Sequence, residues 1–519
     1  MARRAPLHDL ALHPRGAGQS VQRWLEKELR IAILEGRLRS GSRLPSTRQL
    51  ARQHGLARGT VVGAFAQLEA EGYIESRQGA GSFVARRLPD EWFKVAPTEQ
   101  RLAVHAASAR PALSEFSRRI VATGNWWSRP NRQVTVFRTG EPALDAFPID
   151  LWSRLAARRL RLASRTLLGT GDPRGYLPLR EAIADYLGSV RGVRCSPEEV
   201  LIVSGTQRSL DLVARVILDP GDAVWMEDPG YPGAVVAFNA AGAHLNYVPV
   251  DTKGLDVSFA QRHFPGAKLI YVTPAHQFPI GTVLSLERRL KLLHWAHQNG
   301  AFVFEDDYDS EFRYAGRPLA ALQGLDAKAD CRVIHAGSFN KMLFPALRLG
   351  YLVVPPSLAE AIATAKLWMD RFPPLLDQAI LYDFIEQGHF RHHLRRMREL
   401  YAERREALLE SGRDRLEGLL DIEPVDTGIE TIGWLAGGID DMAAARSASA
   451  HGIYVSPISQ LFHRQLRRAG LLLGFASAAP KAIRAGVDRL AIVLAGLLKD
   501  RRPRPTEGVA LREIQNVRH

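Results

Sequence analysis

Two kinds of hydrophobic pattern divide the chain. Near the N-terminus, apolar residues recur at helical spacing, with Val21, Leu25, Leu29 and Ile33 on one face of a predicted first helix. From about residue 134 onward, helical stretches alternate with short runs that are apolar throughout. The first pattern predicts a small helical domain, and the second predicts a larger α/β domain.

The N-terminal pattern continues through two short helices and a hairpin. Residues 46–49 have the Ser-x-x-Gln form of a capping box, which opens a second helix. A third helix is predicted at residues 58–68, and residues 73–84 predict a β-hairpin with a glycine-rich tip. Three helices followed by a hairpin form an α+β winged helix-turn-helix, which we place at residues 18–87.

The regular pattern is lost between the two domains. From about residue 86 to residue 133, prolines, charges and alanines alternate without a sustained period. Residues 88–133 are therefore predicted to form a linker with some helical content. We place the α/β domain at residues 134–500 and predict a flexible basic tail at residues 501–519. A chain of 519 residues is too long for one compact core, which agrees with this division.

The α/β domain contains apolar runs that predict buried strands between helices. Because these strands are apolar on both faces, they predict a mostly parallel sheet that is covered on both sides. Ligands of such sheets bind beyond the carboxyl ends of the strands, and the polar motifs of this chain follow the runs directly. The predicted strands are residues 200–203, 223–226, 269–272, 302–304, 333–334 and 351–354.

The amino-acid composition limits which cellular compartment and which binding partners we expect for this protein. No apolar run approaches the roughly 18 residues of a membrane span, and no apolar signal core follows the basic start. Two cysteines, Cys195 and Cys331, do not make a disulfide framework, so we expect a cytoplasmic protein without a membrane partner. The formal charge is +14, and residues 1–87 hold 15 Lys and Arg against 7 Asp and Glu. This asymmetry favours double-stranded DNA as a partner, although a solvated basic surface explains the charge alone equally well.

An acidic run follows the apolar stretch at residues 302–304. A carboxylate at the end of a buried strand can hold a cationic ring nitrogen protonated, and a phenol two residues further can donate to a neighbouring oxygen. Pyridoxal phosphate needs both groups and a lysine for its aldehyde. Asp306 and Tyr308 suit the first two roles, while Asp307 and Asp309 are expected to point elsewhere because strand neighbours alternate faces. Without the other motifs, a solvated acidic turn would explain the run better.

Further motifs supply the remaining groups, each near the end of a predicted strand. Lys341 suits the Schiff base, Ser338 and Arg348 suit the phosphate, and Tyr231 suits the face of the ring. The backbone amides at a predicted helix start also favour a phosphate, and they belong to Gly205, Thr206 and Gln207. A lone lysine would be a surface group, and Ser-x-x-Lys also occurs in penicillin-binding enzymes, but their companion motifs are missing here. We expect no metal site.

These stretches resemble the fold-type I aminotransferase domain, and with the N-terminal domain the whole chain resembles the MocR subfamily of GntR regulators. The resemblance implies pyridoxal 5'-phosphate as cofactor, bound covalently by Lys341. It places Asp306 at the pyridine nitrogen, Tyr308 at the ring oxygen and Tyr231 near the ring. It assigns the phosphate to Gly205, Thr206, Gln207, Ser338 and Arg348. The matching stretches are residues 171–175, 204–207, 227–233, 276–279, 305–312 and 338–351.

Two departures from the aminotransferase pattern stand out. The arginine that usually grips the substrate carboxylate near the C-terminus is replaced by Leu472. Nearby arginines could substitute for it, and these are Arg467, Arg468 and Arg484. The Asn-Pro-x-Gly turn near the cofactor ring reads Phe-Pro-Ile-Gly at residues 278–281. Both departures weaken the case for transamination of α-amino acids, and neither prevents cofactor binding.

The N-terminal domain contains candidate residues for contacts with DNA. In helix-turn-helix proteins the second helix of the motif enters the major groove and contacts bases near its N-terminus. Arg58 and Thr60 lie at that position, and Arg48 lies on the preceding helix. Resemblance to GntR-type heads makes these the DNA contacts, with Gly79 and Gly81 shaping the wing. For each arginine alone, a solvated helix face is an equally good interpretation.

Two functions are compatible with these features. The first is a homodimeric transcriptional regulator that senses an amine, an amino acid or pyridoxal phosphate itself at Lys341. The second is an active aminotransferase with an accessory DNA-binding head. The lysine, aspartate and tyrosine permit the second function, but Leu472 argues against it.

Overall fold

The computed structural model divides into two compact units, Met1–Pro111 and Ala112–His519. Most of the predicted linker, residues 88–133, lies outside the described residues, as do Arg467 and the predicted tail at residues 501–519. The structure describes residues 12–16, 18–89, 113–123, 136–314, 316, 319–326, 330–464 and 468–500.

The N-terminal unit is the predicted winged helix-turn-helix. The two strands pair antiparallel, from Ile74 opposite Val84 to Arg77 opposite Gly81. A hydrophobic core that includes Leu25, Leu50 and Phe65 joins the helices. The elements are α1 (Val21–Leu34), α2 (Thr47–Gln53), α3 (Arg58–Ala70), β1 (Ile74–Arg77) and β2 (Gly81–Val84).

Local chemistry sets the element boundaries of the N-terminal unit. The Ser46 side chain accepts the Gln49 N–H at 3.2 Å and so caps the start of α2. At the tip of the hairpin, the Ala80 N–H donates to the Arg77 carbonyl at 3.0 Å. Gly79 and Gly81 flank this residue with φ values of 74° and 96°, which only glycine adopts without strain.

The second unit is an α/β domain with a smaller C-terminal sheet. Its helices are α4 (Glu115–Ala122), α5 (Ile149–Arg161), α6 (Arg165–Leu168), α7 (Leu177–Arg191), α8 (Thr206–Ile217), α9 (Pro232–Ala241), α10 (Val257–His263), α11 (Leu286–Asn299), α12 (Leu322–Leu325), α13 (Phe339–Met342), α14 (Pro356–Met369), α15 (Leu375–Glu386), α16 (His389–Arg415), α17 (Asp441–Ala450) and α18 (Pro480–Asp500). None of the helices in the described ranges is long and apolar enough to cross a membrane.

The large sheet forms the centre of this unit. Its strands are β3 (Val200–Val203), β4 (Ala223–Asp228), β5 (His244–Asp251), β6 (Gly254–Leu255), β7 (Leu269–Val272), β8 (Phe302–Asp307), β9 (Val333–Ser338) and β10 (Gly350–Val353). Within the described residues the strand order is β3-β10-β9-β8-β7-β4-β5-β6. Strands β5, β4, β7, β8 and β9 run parallel, which confirms the prediction of a mostly parallel sheet.

Strand β10 runs antiparallel to both β3 and β9. The connection from Ser338 to Gly350 is too short for the crossover that a parallel strand requires. The chain therefore reverses direction just beyond the carboxyl end of β9. This reversal places Lys341 and Arg348 at that end of the strand.

The smaller C-terminal sheet is antiparallel, with the order β11-β12-β14-β13. In this sheet Glu430 lies opposite Gly474, and Ile432 lies opposite Leu472. Its strands are β11 (Leu420–Ile422), β12 (Glu430–Leu435), β13 (Ser456–Pro457) and β14 (Gly470–Gly474).

One buried ion pair ties α7 to the end of β8. Arg191, the last residue of α7, places Nη2 2.7 Å from Asp307 Oδ2. Both side chains are at most 4% exposed. The partners must remain together because a buried charge that loses its partner is costly.

We predict that Arg191→Met destabilises the protein by about 3–5 kcal/mol, because it leaves the Asp307 carboxylate buried without its cation. Denaturant unfolding followed by circular dichroism measures this loss. The double variant Arg191→Met with Asp307→Leu is the control and is expected to recover more than half of it. A loss below about 1 kcal/mol in the single variant, typical of a surface pair, would contradict this role.

Candidate cofactor site and DNA-binding surface

The end of β8 brings consecutive carboxylates into the protein interior. Glu305 and Asp307 share one face of the strand. Glu305 accepts the Leu322 N–H at 2.6 Å and contacts His335 Nδ1 at 2.9 Å. Burial raises the pKa of Glu305, but His335 and the backbone bond outweigh it and hold the pKa below the ordinary value. With Asp307 bound to Arg191, both carboxylates on this face have cationic or polar partners. Asp307 points away from Asp306, as the strand alternation predicted.

Asp306 lies on the opposite face and is only 4% exposed. Its Oδ2 accepts the Tyr271 hydroxyl at 2.8 Å, whereas Oδ1 has no hydrogen-bond partner among the described residues. Burial raises the pKa of Asp306 to about 7, opposed by the Tyr271 bond and by Lys341. A buried acceptor of this kind is stabilised by a cationic donor. The protonated nitrogen of a pyridine ring fits this requirement.

Lys341 lies close to Tyr308. Its Nζ is 4.2 Å from the centre of the Tyr308 ring. The Tyr308 hydroxyl lies 3.2 Å from His276 Nδ1, which also contacts Asp309 Oδ1 at 2.9 Å. Asp309 therefore contacts the site through His276, although the strand alternation was expected to point it elsewhere. The structure brings Lys341, Asp306 and Tyr308 into one site.

Glu430 belongs to the same site and was missed by the sequence analysis. Its Oε1 lies 3.7 Å from Lys341 Nζ, and its Oε2 accepts the Gly140 N–H at 2.8 Å. The carboxylate is 4% exposed. Nothing in its position as the first residue of β12 signals this contact, because 89 residues separate it from Lys341 and a second sheet carries it.

An anion cradle lies at the start of α8. Gly205 has a φ of 99°, and Thr206 is the first helical residue. A Cβ on Gly205 would lie 3.2 Å from the Asn340 amide nitrogen and 3.7 Å from the Arg348 guanidinium. Ser338 is the N-cap of α13 and accepts the Asn340 N–H at 3.2 Å. Backbone amides, a guanidinium and a hydroxyl therefore converge on a space that a side chain would fill, which fits a phosphate group.

Two aromatic rings border the cleft that adjoins this site. Tyr231 and Phe278 meet edge to face with ring centres 5.8 Å apart. Burial raises the pKa of Tyr231 to about 12, so its hydroxyl stays protonated. The Gln207 side chain donates to the Gly233 carbonyl at 3.0 Å. This bond uses one of the two N–H groups of the Gln207 amide beside the phosphate cradle.

Leu472 lies in the wall of the same cleft, whose volume is about 1270 Å³. It is 2% exposed and packs with Ile432 and Ile458. Of the arginines considered as substitutes for a carboxylate clamp, Arg468 contacts Asp421 at 3.6 Å and Arg484 contacts Glu410 at 3.6 Å. The described part of the chain thus provides an apolar wall at this position.

The candidate DNA-binding residues lie on the N-terminal unit. Arg48 on α2 and Arg58 at the start of α3 are exposed, and Thr60 is half-buried. Gly79 and Gly81 form the tip of the wing, as described above. The guanidinium of Arg43, which was not among the predicted contacts, lies 3.3 Å from where a Cβ on Gly81 would be. It places an additional exposed cation beside the wing.

Comparison with known proteins identifies both units. Residues 22–84 match the family of bacterial regulatory proteins of the gntR type, and residues 132–468 match aminotransferase class I and II. Among solved structures, LysN from Thermus thermophilus, an α-aminoadipate aminotransferase complexed with N-(5'-phosphopyridoxyl)-L-leucine, is 29% identical. That match has a TM-score of 0.66 and covers 74% of this chain and 96% of LysN. The chain is therefore a DNA-binding regulator built on a pyridoxal-phosphate-dependent aminotransferase fold.

Relatives that match over nearly their whole length identify the subfamily of regulators. The probable rhizopine catabolism regulatory protein MocR of Rhizobium meliloti is 41% identical, over 92% of this chain and 94% of the relative. TauR of Rhodobacter capsulatus is 33% identical, over 94% and 99%. PdxR of Corynebacterium glutamicum, a pyridoxine biosynthesis regulator, is 31% identical, over 90% and 94%. The chain belongs to the MocR subfamily of GntR-type transcriptional regulators.

The raised pKa of Asp306 makes the stability of the cofactor-free protein depend on pH. Its pKa is about 7 in the folded chain against an ordinary value of 3.8. This group stabilises the fold below about pH 4, and that contribution is lost as the pH rises through about 7. We therefore predict that Asp306→Asn melts at a higher temperature than the natural protein at about pH 8, and that the difference vanishes near pH 4.

Asp307→Asn is the matched control, because Arg191 holds the pKa of Asp307 below its ordinary value despite burial. Its stabilising contribution is present at neutral pH and is lost on acidification. This variant should thus melt at a lower temperature at neutral pH, with a difference that shrinks in acid. Thermal melts across the pH range measure both variants. Equal melting temperatures for Asp306→Asn and the natural protein at about pH 8 would contradict the assignment for Asp306.

Proposed function

We propose that this regulator senses a small amine, an amino acid or pyridoxal phosphate itself at Lys341, and that the DNA-binding heads of a homodimer respond. The proposal rests chiefly on Asp306, whose buried Oδ1 needs a cationic donor that the described residues do not supply. The position of Lys341 beside Tyr308, at 4.2 Å, adds the amine that such a cofactor requires.

Different residues of the site are proposed to bind different parts of the cofactor. Pyridoxal phosphate supplies an aldehyde that condenses with a primary amine. Asp306 would hold the ring nitrogen protonated, and Tyr308 would donate its hydroxyl to the ring oxygen. Tyr231 would border the ring, and the phosphate would be held by Gly205, Thr206, Ser338 and Arg348. Gln207, in the first turn of α8, would contribute its backbone amide.

The coupling to DNA follows from linkage. A ligand that reaches Lys341 changes the balance between two arrangements of a dimer only if it binds one of them more tightly. A change in the arrangement of the two heads alters how well they match two half-sites on DNA. The effector thereby sets operator affinity without contacting DNA. The N-terminal residues Arg48, Arg58 and Thr60 carry the DNA contacts, with the wing at Gly79 and Gly81.

We predict that Lys341→Ala abolishes covalent attachment of the cofactor and leaves the fold and DNA affinity of the cofactor-free protein intact. Borohydride reduction of the loaded protein followed by peptide mass spectrometry measures the attachment. Lys268→Ala, which removes a surface lysine bound to Asp222 at 2.7 Å, serves as control and should retain it. Cofactor fixed at another residue in Lys341→Ala would refute the lysine assignment.

We predict that Arg58→Ala weakens specific DNA binding by about 1–3 kcal/mol, because it removes a side chain at the base-reading end of α3. Binding to DNA from the protein's own promoter region and to random DNA measures the specificity. Arg58→Lys keeps the charge and should preserve binding to random DNA while losing the specific part. Unchanged affinity for the promoter fragment in both variants would remove Arg58 from the readout.

The intact Lys341, Asp306 and Tyr308 also permit transamination. The apolar wall at Leu472 argues against efficient use of α-amino acids as donors. Incubation of the loaded protein with amino donors and a keto acid measures turnover. We expect at most slow half-reactions. Sustained turnover at rates useful for metabolism would make catalysis the primary role.

A further inference from the structure

The charges around Lys341 restrict which amines the sensor accepts. The Glu430 carboxylate lies 3.7 Å from Lys341 Nζ and is held in place by the Gly140 N–H at 2.8 Å. Gly140 lines the cleft and lies within 3.6 Å of the Lys341 side chain, measured from the position of an added Cβ. A ligand nitrogen that takes the place of Nζ therefore arrives beside a fixed, buried anion.

The cleft wall at Leu472, on the strand that pairs with the strand of Glu430, offers no compensating cation. This residue packs with Ile432 and Ile458 as a closed apolar group. The two arginines that line the cleft are Arg138 and Arg446. Arg138 is already paired with Glu141 at 3.0 Å, and Arg446 is exposed on α17, where water and salt screen its charge. A carboxylate on the carbon next to the ligand nitrogen would thus lie beside the Glu430 anion, which is unfavourable.

A neutral or cationic hydrogen-bond donor in the place of that carboxylate would be attracted by Glu430 instead of repelled. A hydroxyl or a second ammonium three bonds from the ligand nitrogen is within reach of an acceptor that lies 3.7 Å from that nitrogen. Glu430 Oε1 is such an acceptor, and a bond to an ionised acceptor is stronger than one to a neutral group.

We infer that the sensing site takes a primary amine with a hydroxyl or second ammonium where an α-amino acid has its carboxylate, that is, a vicinal amino alcohol or diamine. Glu430 accepts the donor and repels a carboxylate, and Leu472 denies the carboxylate a partner. This inference deepens the proposed function and depends on cofactor bound at Lys341.

The test uses a matched pair of ligands, L-alaninol and L-alanine, which differ only in the group on the amine-bearing carbon. The cofactor-loaded full chain is titrated with each while the visible absorption band and the affinity for promoter DNA are recorded. We expect alaninol to change the band at a concentration at least about tenfold lower than alanine. Equal or better response to alanine overturns the inference.

Two variants assign the selectivity to its residues. Glu430→Gln keeps the acceptor for Gly140 but removes the charge, so the preference for alaninol should fall by about tenfold. Leu472→Arg adds a carboxylate partner and should shift the preference toward alanine. The surface variant Glu403→Gln is the control for loss of a carboxylate and should retain the natural preference. If Leu472→Arg does not fold, the ligand pair and Glu430→Gln still decide.

The outcome separates this inference from the proposed function. Borohydride reduction before the titration shows whether cofactor is attached at Lys341. Absence of attachment refutes the proposed function and with it this inference. Attachment at Lys341 combined with an unchanged ligand preference in Glu430→Gln overturns the role of Glu430 alone.

Discussion

Buried carboxylates need partners, and the end of β8 carries several in succession. Glu305 has His335, Asp307 has Arg191, and Asp309 has His276. These pairs use groups from β9, from α7 and from the loop after β7, so they join the layers of the domain around one strand end. Asp306 Oδ1 and Asp307 Oδ1 both have no hydrogen-bond partner in the described part of the chain. Asp307 has the Arg191 ion pair, whereas Asp306 lies on the other face of the strand, toward Lys341. The run of buried carboxylates at the end of β8 therefore both stabilises the sheet and supplies the acidic group of the site.

The same arrangement agrees with the proposed role of the site in recognition rather than in turnover. The groups proposed to hold the cofactor lie at the ends of strands of the large sheet, beside the buried ion pairs. Glu430 and Leu472, which the proposal assigns to the ligand, come from the smaller sheet. Residues on the smaller sheet can thus change the ligand preference without altering the residues on the large sheet that bind the cofactor. This separation would allow an aminotransferase fold to work as a sensor. Family membership and the winged head agree with this use.

Much of the architecture could be predicted from the sequence. The apolar runs located strands of the large sheet, and the helical spacing with a Ser46 cap located the winged helix-turn-helix. The alternation along β8 correctly turned Asp307 toward Arg191 and away from Asp306. Asp309 lies beyond the end of the strand and contacts His276 beside Tyr308, which the alternation did not predict. The antiparallel direction of β10 was not predicted, because it depends on the short return between Ser338 and Gly350 rather than on the apolar pattern of the strand. The side-chain bond of Gln207 to Gly233 was likewise invisible in the sequence.

The sequence by itself determined the local elements, the class of cofactor chemistry and the residue types at the strand ends, because these depend on short-range spacing and on side-chain chemistry. Only the tertiary structure decided which groups meet. Glu430 reaches Lys341 because the β12–β14 pairing brings a second sheet to the site, and no local pattern encodes a contact across 89 residues. Asp306 acquires its raised pKa for the same reason, since burial is a property of the packed domain and not of the acidic run.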